Sequence, residues 1–211
     1  MEHLTFGMKN TQEAIAIRNN ILLTFEKLII EKRRSDDGNW NIVIVGSGPT
    51  GVELAGAFAE MKKDILPRDY PNMNFNDLQI ILISSTEKPL NVMSKEAQEK
   101  SELYLKELGV HFMSGEFVTD YDGDQVTMKS GKTIKSNNVI WAAGVTGNVI
   151  EGLNPEIIVR NRYKTDRFNR VQGYKNIFAI GDIAYMETPK YPEAHPQVAN
   201  VAINQGTNLA S

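Results

Sequence analysis

Residues 42–51, Ile-Val-Ile-Val-Gly-Ser-Gly-Pro-Thr-Gly, constrain this chain more than any other stretch. Four consecutive β-branched residues read as a short strand buried on both faces, as in a parallel sheet. A G-x-G-x-x-G spacing follows at Gly46, Gly48 and Gly51, and then Val52, Leu54, Ala55, Phe58 and Ala59 recur at helical spacing. Strand, glycine-rich turn and helix in that order make a phosphate-binding βα unit. Gly46 allows the tight turn, Gly48 leaves the backbone open to a pyrophosphate, and Gly51 lets helix and strand approach closely. The N–H groups of the turn, with Pro49 and Thr50 opening the helix, and the helix dipole hold negative charge without a lysine. Alone, such a spacing also suits a glycine-rich surface turn; the flanking strand and helix favour a dinucleotide site. The expected fold is α/β, a doubly wound parallel sheet.

The neighbouring pattern extends that sheet. A leading helix is expected over residues 10–34, with apolar residues at 14, 17, 21, 25 and 28, an Asn10–Glu13 capping box and a break at 35–39. After the glycine unit, a proline-containing loop is expected at 64–76, a strand at 78–83, and a helix at 95–108 with Ser94 as N-cap and Gly109 beyond its end. A strand at 110–113, an antiparallel meander at 116–135 and a strand at 139–143 complete the unit. Looser sequence then leads to a late strand at 176–180, Gly181-Asp182, and a helix from 198 to 211 with no capping glycine, the pattern of a longer chain interrupted.

Composition narrows the functions. Of 211 residues, 23 are Lys or Arg and 26 Asp or Glu, giving a net charge of −3 and no basic footprint for nucleic acid. With no Cys, disulfides, thiolate metal sites, iron–sulfur clusters and a CxxC redox pair are excluded from this segment. The absence fits a reducing compartment. No apolar run is long enough for a membrane span, and the first eight residues lack the order of a signal peptide.

The acid expected about 20 residues beyond the glycine turn, to bind the adenosine ribose, is missing. The second strand ends at Ser84, and the nearest carboxylate is Glu87. Ser84 either donates to a ribose hydroxyl or phosphate, or simply ends the strand. No Arg adjoins it to favour a 2′-phosphate, so discrimination between NADH and NADPH is expected to be modest.

Three segments together carry a resemblance: Gly-Ser-Gly-Pro-Thr-Gly-Val-Glu-Leu-Ala-Gly at 46–56, Ala-Ala-Gly at 142–144, and Asn-Ile-Phe-Ala-Ile-Gly-Asp at 176–182. They resemble flavoproteins in which an NAD(P)H-binding domain is inserted into an FAD-binding domain. The stretch 7–19, the Ile-Leu-Pro-Arg-Asp-Tyr-Pro loop at 65–71, and His195-Pro196-Gln197 through Gln205-Gly206 are most similar to the type II NADH:quinone oxidoreductases. The resemblance implies an internal fragment: residues 1–37 an FAD-domain-derived helix and linker, 38–146 the NAD(H)-binding domain, and 147–211 the C-terminal part of an incomplete FAD-binding domain.

It further implies NAD(H) at Gly46, Gly48, Pro49, Thr50, Gly51, Glu53, Ser84, Ala143 and Gly144, and FAD in the full-length parent near Gly181 and Asp182. Gln197, Ala199, Asn200, Ile203 and Asn204 fall in the quinone and flavin vicinity, with Asn200 and Asn204 standing where the family has Gln. No metal and no side-chain acid–base catalyst is implied, because hydride transfer to flavin needs none at that step. Plainer readings remain for several of these. Glu53 also suits a solvated first-turn carboxylate, Asp182 a turn or cap, and the two Asn a polar helix face; His195 and Trp141 read as structural. The parent would be an NADH dehydrogenase using quinone, peripheral on the cytoplasmic face through a C-terminal region beyond this sequence, in an assembly that admits a homodimer. Alternatives are a related reductase with a ferredoxin, disulfide or other acceptor, and a nucleotide-sensing module without turnover.

Overall fold

The computed structural model describes residues 2–31 and 38–210. Its chain divides into two compact units, 1–143 and 144–211. In the first, parallel strands β1 (Ile42–Val45), β2 (Ile80–Ile83), β3 (His111–Met113) and β7 (Asn138–Trp141) form a sheet in the order β3-β2-β1-β7. The pairing is in register, with Ile42 opposite both Ile80 and Asn138. The chain winds outward from β1 through β2 to β3, then returns to the other side of β1. That reversal is the switch point at which doubly wound sheets bind ligands, beyond the carboxyl ends of the strands.

Alternation along the strands explains the layers. Ile42, Ile44, Ile80, Leu82 and Ile140 face α1 (Thr11–Glu31), α2 (Pro49–Glu60) and α4 (Lys95–Glu107), burying Ile17, Ile21, Phe25, Phe58 and Leu105. Val43, Val45, Ile81, Ile83 and Val139 face the other way, against Val118, Tyr121, Val126 and Met128. These belong to the antiparallel meander β4 (Val118–Tyr121), β5 (Gln125–Met128) and β6 (Thr133–Lys135). Both faces are therefore covered, one by helices and one by the meander.

Capping follows the sequence closely. Asn10 Oδ1 accepts from Glu13 N at 2.9 Å, but the expected capping box is only half formed, because the Glu13 carboxylate accepts from Lys9 N; Ser94 Oγ accepts from Ala97 N at 3.2 Å. Gly109 takes φ +77° just past α4, where a left-handed residue ends a helix. The expected helix end at 32–34 and the break at 35–37 lie outside the described residues.

The loop expected at 64–76 is partly helical. A single wide π-turn, Met61–Ile65, carries α2 into α3 (Leu66–Asp69). Pro67 lacks an N–H, so a widened turn followed by a fresh helix start accommodates it where an unbroken α-helix would not.

The second unit holds β8 (Ile158–Val159), β9 (Arg162–Thr165), β10 (Ala184–Met186) and α5 (Ala199–Ala210). Here the expected strand at 176–180 is absent. Val171 N bonds Ile177 O, Ala179 N bonds Asn169 O, and only an isolated bridge joins Arg170 to Phe178. Asn169 sits at φ +63°, which kinks the facing segment and prevents a regular ladder. The strand forms after Gly181-Asp182 instead, as β10, parallel to β9.

Candidate dinucleotide site

The glycine turn leaves β1 at the switch point. Gly46 N donates to Ile83 O at 2.8 Å, and Ala142 N donates to Val45 O at 2.8 Å, so the turn is framed by the ends of β2 and β7. Gly46 has φ +108°, and a Cβ there would lie 2.6 Å from Ala143 Cα. At Gly51 a Cβ would lie 1.9 Å from Gly46 O. Both glycines are required by the fold itself: the first by turn geometry, the second by the approach of α2 to the turn.

Gly48 differs. Its φ of −70° is open to any residue, and a Cβ there would meet nothing within 4 Å. No contact inside the protein demands glycine at this position, although glycine also suits a helix N-cap. Gly48 is also the N-cap of α2 and has no side chain to satisfy the helix start, while Pro49 fits the first helical position. Val52 N is the first to find an intrahelical acceptor, Gly48 O at 3.0 Å. The N–H groups of Thr50 and Gly51 precede that bond and are left for an anion. The positive end of the α2 dipole lies at this turn.

The other expected residues distribute unevenly. Pro49, Thr50 and Glu53 are exposed on the first turns of α2, and Ala143, at the end of β7, is exposed close to Gly46. Gly144 follows it at φ +92°. Ser84 is only 4% exposed. Its Oγ lies 2.6 Å from Ser47 Oγ and 2.8 Å from Thr86 Oγ1, and accepts from Thr86 N at 3.1 Å. Ser47 and Thr86, which sequence reasoning passed over, thus tie the turn to the end of β2.

In the second unit, Gly181–Ile183 forms a short 3₁₀ turn. Asp182 is exposed, and its backbone carbonyl accepts from Gln197 Nε2 at 2.9 Å. Gly181 N donates to Gln205 Oε1 at 2.7 Å, and Asn169 Nδ2 to Gln205 O at 3.1 Å. Gln205, named from sequence only as part of the resembling segment, is therefore the buried tether of α5. Ala199, Asn200, Ile203 and Asn204 are exposed together, as two i,i+4 pairs along one side of α5.

His195 has a structural place. Its N–H donates to Met186 O, its carbonyl accepts from buried Arg162 at 2.9 Å, and its ring lies 4.6 Å from that of Tyr191. Burial, with Arg162 and Lys190 nearby, pushes its pKa below the usual value. Trp141 packs half-buried beside the meander-facing cluster. Among the described residues, no group of His, Asp and Glu is arranged to hold a metal ion. No helix described is long and apolar enough to cross a membrane.

Residues 9–206 match the pyridine nucleotide-disulphide oxidoreductase family. The chain belongs to this family. Among curated proteins it is 31% identical over 221 residues to type II NADH:quinone oxidoreductase Ndh of Mycobacterium tuberculosis, covering 97% of this chain and 45% of that protein. It is 30% identical to the mitochondrial external alternative NAD(P)H-ubiquinone oxidoreductase B1 of Solanum tuberosum, over 92% of this chain and 35% of that one. The chain spans about half the length, or less, of the curated relatives it matches. In fold it is similar to NDH2 of Plasmodium falciparum in complex with NADH, with a TM-score of 0.74 and 24% identity over 87% of this chain and 40% of the other. A ferredoxin reductase from Rhodopseudomonas palustris gives a TM-score of 0.65 at 17% identity, over 97% of this chain and 45% of that one.

Proposed function

We propose that this chain carries the NADH site of a flavoprotein NADH dehydrogenase similar to the type II NADH:quinone oxidoreductases, with FAD and a quinone as further reactants of the whole protein. One observation carries the reading: Gly48 is the glycine of the turn for which the fold has no need, at a helix start with unsatisfied N–H groups. The pyrophosphate is bound by the N–H groups of Thr50 and Gly51, with Glu53 and the backbone at 143–144 beside the remainder of the dinucleotide. Residues 38–146 are the NAD(H)-binding domain, 1–37 its leading segment, and 147–211 part of an FAD-binding domain.

FAD, when bound, takes the hydride from nicotinamide and passes electrons to an acceptor. This chain's own contribution there is modest. Asp182 offers an exposed carboxylate to hydroxyl groups of the cofactor, while Gly181 N–H is already committed to Gln205 and adds no phosphate contact. The exposed side of α5, with Ala199, Asn200, Ile203 and Asn204, faces the flavin and quinone region, and Gln197 supports Asp182 from behind. Attachment to the cytoplasmic face of a membrane and assembly as a homodimer belong to the same proposal for the whole protein.

The test is flavin content and NADH oxidation by the full-length protein, with quinone supplied as acceptor. Stoichiometric FAD and NADH-dependent quinone reduction are expected. NADH oxidation only with ferredoxin or a disulfide would move the assignment to another branch of the family, and absence of turnover with every acceptor would favour a sensing module.

A further inference from the structure

The hydroxyl groups behind the glycine turn can be oriented by elimination. Thr86 Oγ1 lies 2.8 Å from Lys88 O, which can only accept, so the Thr86 proton points there. Thr86 Oγ1 must then accept at its 2.8 Å contact with Ser84 Oγ, so Ser84 donates to Thr86. With its single proton spent, Ser84 accepts at its 2.6 Å contact with Ser47, so Ser47 donates to Ser84. Thr86 N–H supplies a second bond to Ser84 Oγ at 3.1 Å. Ser84 thus donates once and accepts twice, the full capacity of a hydroxyl. The order runs from Ser47 through Ser84 and Thr86 to the Lys88 carbonyl. Leu90 N closes the connection by donating to Ser47 O at 2.8 Å.

We infer that Ser84 is a positioning residue: the middle link of a hydroxyl relay that locks the pyrophosphate turn to the loop after β2, making no hydrogen bond of its own to the adenosine ribose. The inference rests on the dinucleotide site proposed above. A ribose hydroxyl could reach Ser84 only by displacing Ser47 or Thr86 from a group that is 4% exposed. The position held by an acid in strongly NAD-selective sites is here spent on internal support. The site consequently reads the pyrophosphate and the rest of the dinucleotide, and Ser84 senses neither a 2′-hydroxyl nor a 2′-phosphate.

The experiment measures binding of NADH, NADPH and 2′-deoxyadenosine NADH to the full chain and to Ser84→Ala, at a temperature well below the melting transition of each. Loss of the relay should weaken all three ligands by the same factor, about tenfold. Ser47→Ala removes the same link from outside the strand, so it keeps the test open if the strand variant folds poorly. The double variant should bind about as weakly as either single one, because both break one connection; a purely structural role would lower the melting temperature and leave affinities of the folded protein unchanged. A loss confined to NADH, with the 2′-deoxy ligand unaffected, would show a ribose contact and overturn the inference, as would unchanged affinity for all three. Failure of the unsubstituted chain to bind NADH, or its indifference to Gly48→Val, would instead overturn the site assignment and the inference with it.

Discussion

At the scale of single residues, the three glycines of the turn separate into two kinds. Gly51→Ala places a Cβ 1.9 Å from a backbone oxygen and should destabilise the fold by roughly 3 kcal/mol or more, since backbone cannot yield as a side-chain tip does. Its melting temperature should therefore fall well below that of Gly48→Val, whose Cβ enters open space. Tyr121 provides a test of a different kind. Burial, then the carboxylates of Asp122 and Asp124, push its pKa up to about 12, and its hydroxyl lies 3.0 Å from both Gly123 O and Ser136 O. The unfolded chain ionises this group near pH 10, so its stabilising effect is complete below pH 10 and is lost as pH rises towards 12. Tyr121→Phe should be less stable than the parent at pH 8 by about 1 kcal/mol, and the gap should narrow between pH 10 and 12. Urea midpoints across that range measure it; a constant gap would contradict the assignment. The glycine spacing was legible because its meaning is local to a few residues. Saturation of Ser84 was not, because it depends on Ser47, 37 residues away in sequence, and no periodicity signals such a meeting.

Elements were legible where one periodicity ran uninterrupted, as in β1, α2 and α4, each with its cap or turn in place. Pro67 misled because proline marks a loop in isolation, yet the π-turn before it lets a helix restart. The apolar run at 176–180 misled for a non-local reason, since left-handed Asn169 lies on the segment that would have paired with it. α5 is unevenly buried along its length. Gln205 is 7% exposed and holds Gly181 N–H, whereas Asn200 and Asn204 are exposed. Gln205→Leu should leave that N–H without a partner, at a cost of about 1–3 kcal/mol, and amide exchange over residues 176–186 should accelerate. Asn200→Ala should change stability by less than about 0.5 kcal/mol. Equal exchange rates in the parent and Gln205→Leu would remove the tether from the account.

For the whole molecule, the sheet order and the coverage of both its faces give the glycine turn its place at the switch point. Helical periodicity in α1 foretold a helix but not its partner; Ile17, Ile21 and Phe25 prove to be buried in the core of the first unit, beneath the sheet. The sequence holds a single G-x-G-x-x-G turn, and the function proposed above assigns it to NADH. This 211-residue chain alone is therefore expected to purify without a stoichiometric flavin absorption band, and added FAD should not produce quinone reduction. A tightly held flavin would reassign Gly46–Gly51 to FAD. The most direct measurement of the central claim is calorimetric titration of NADH into the unsubstituted chain and into Gly48→Val, with thermal melts of both. One NADH per chain is predicted, with affinity reduced by at least about 2 kcal/mol in the variant and only a small drop in melting temperature from the poorer N-cap, since the added Cβ meets nothing within 4 Å. Equal affinity in the two proteins, or no binding to either, would contradict it.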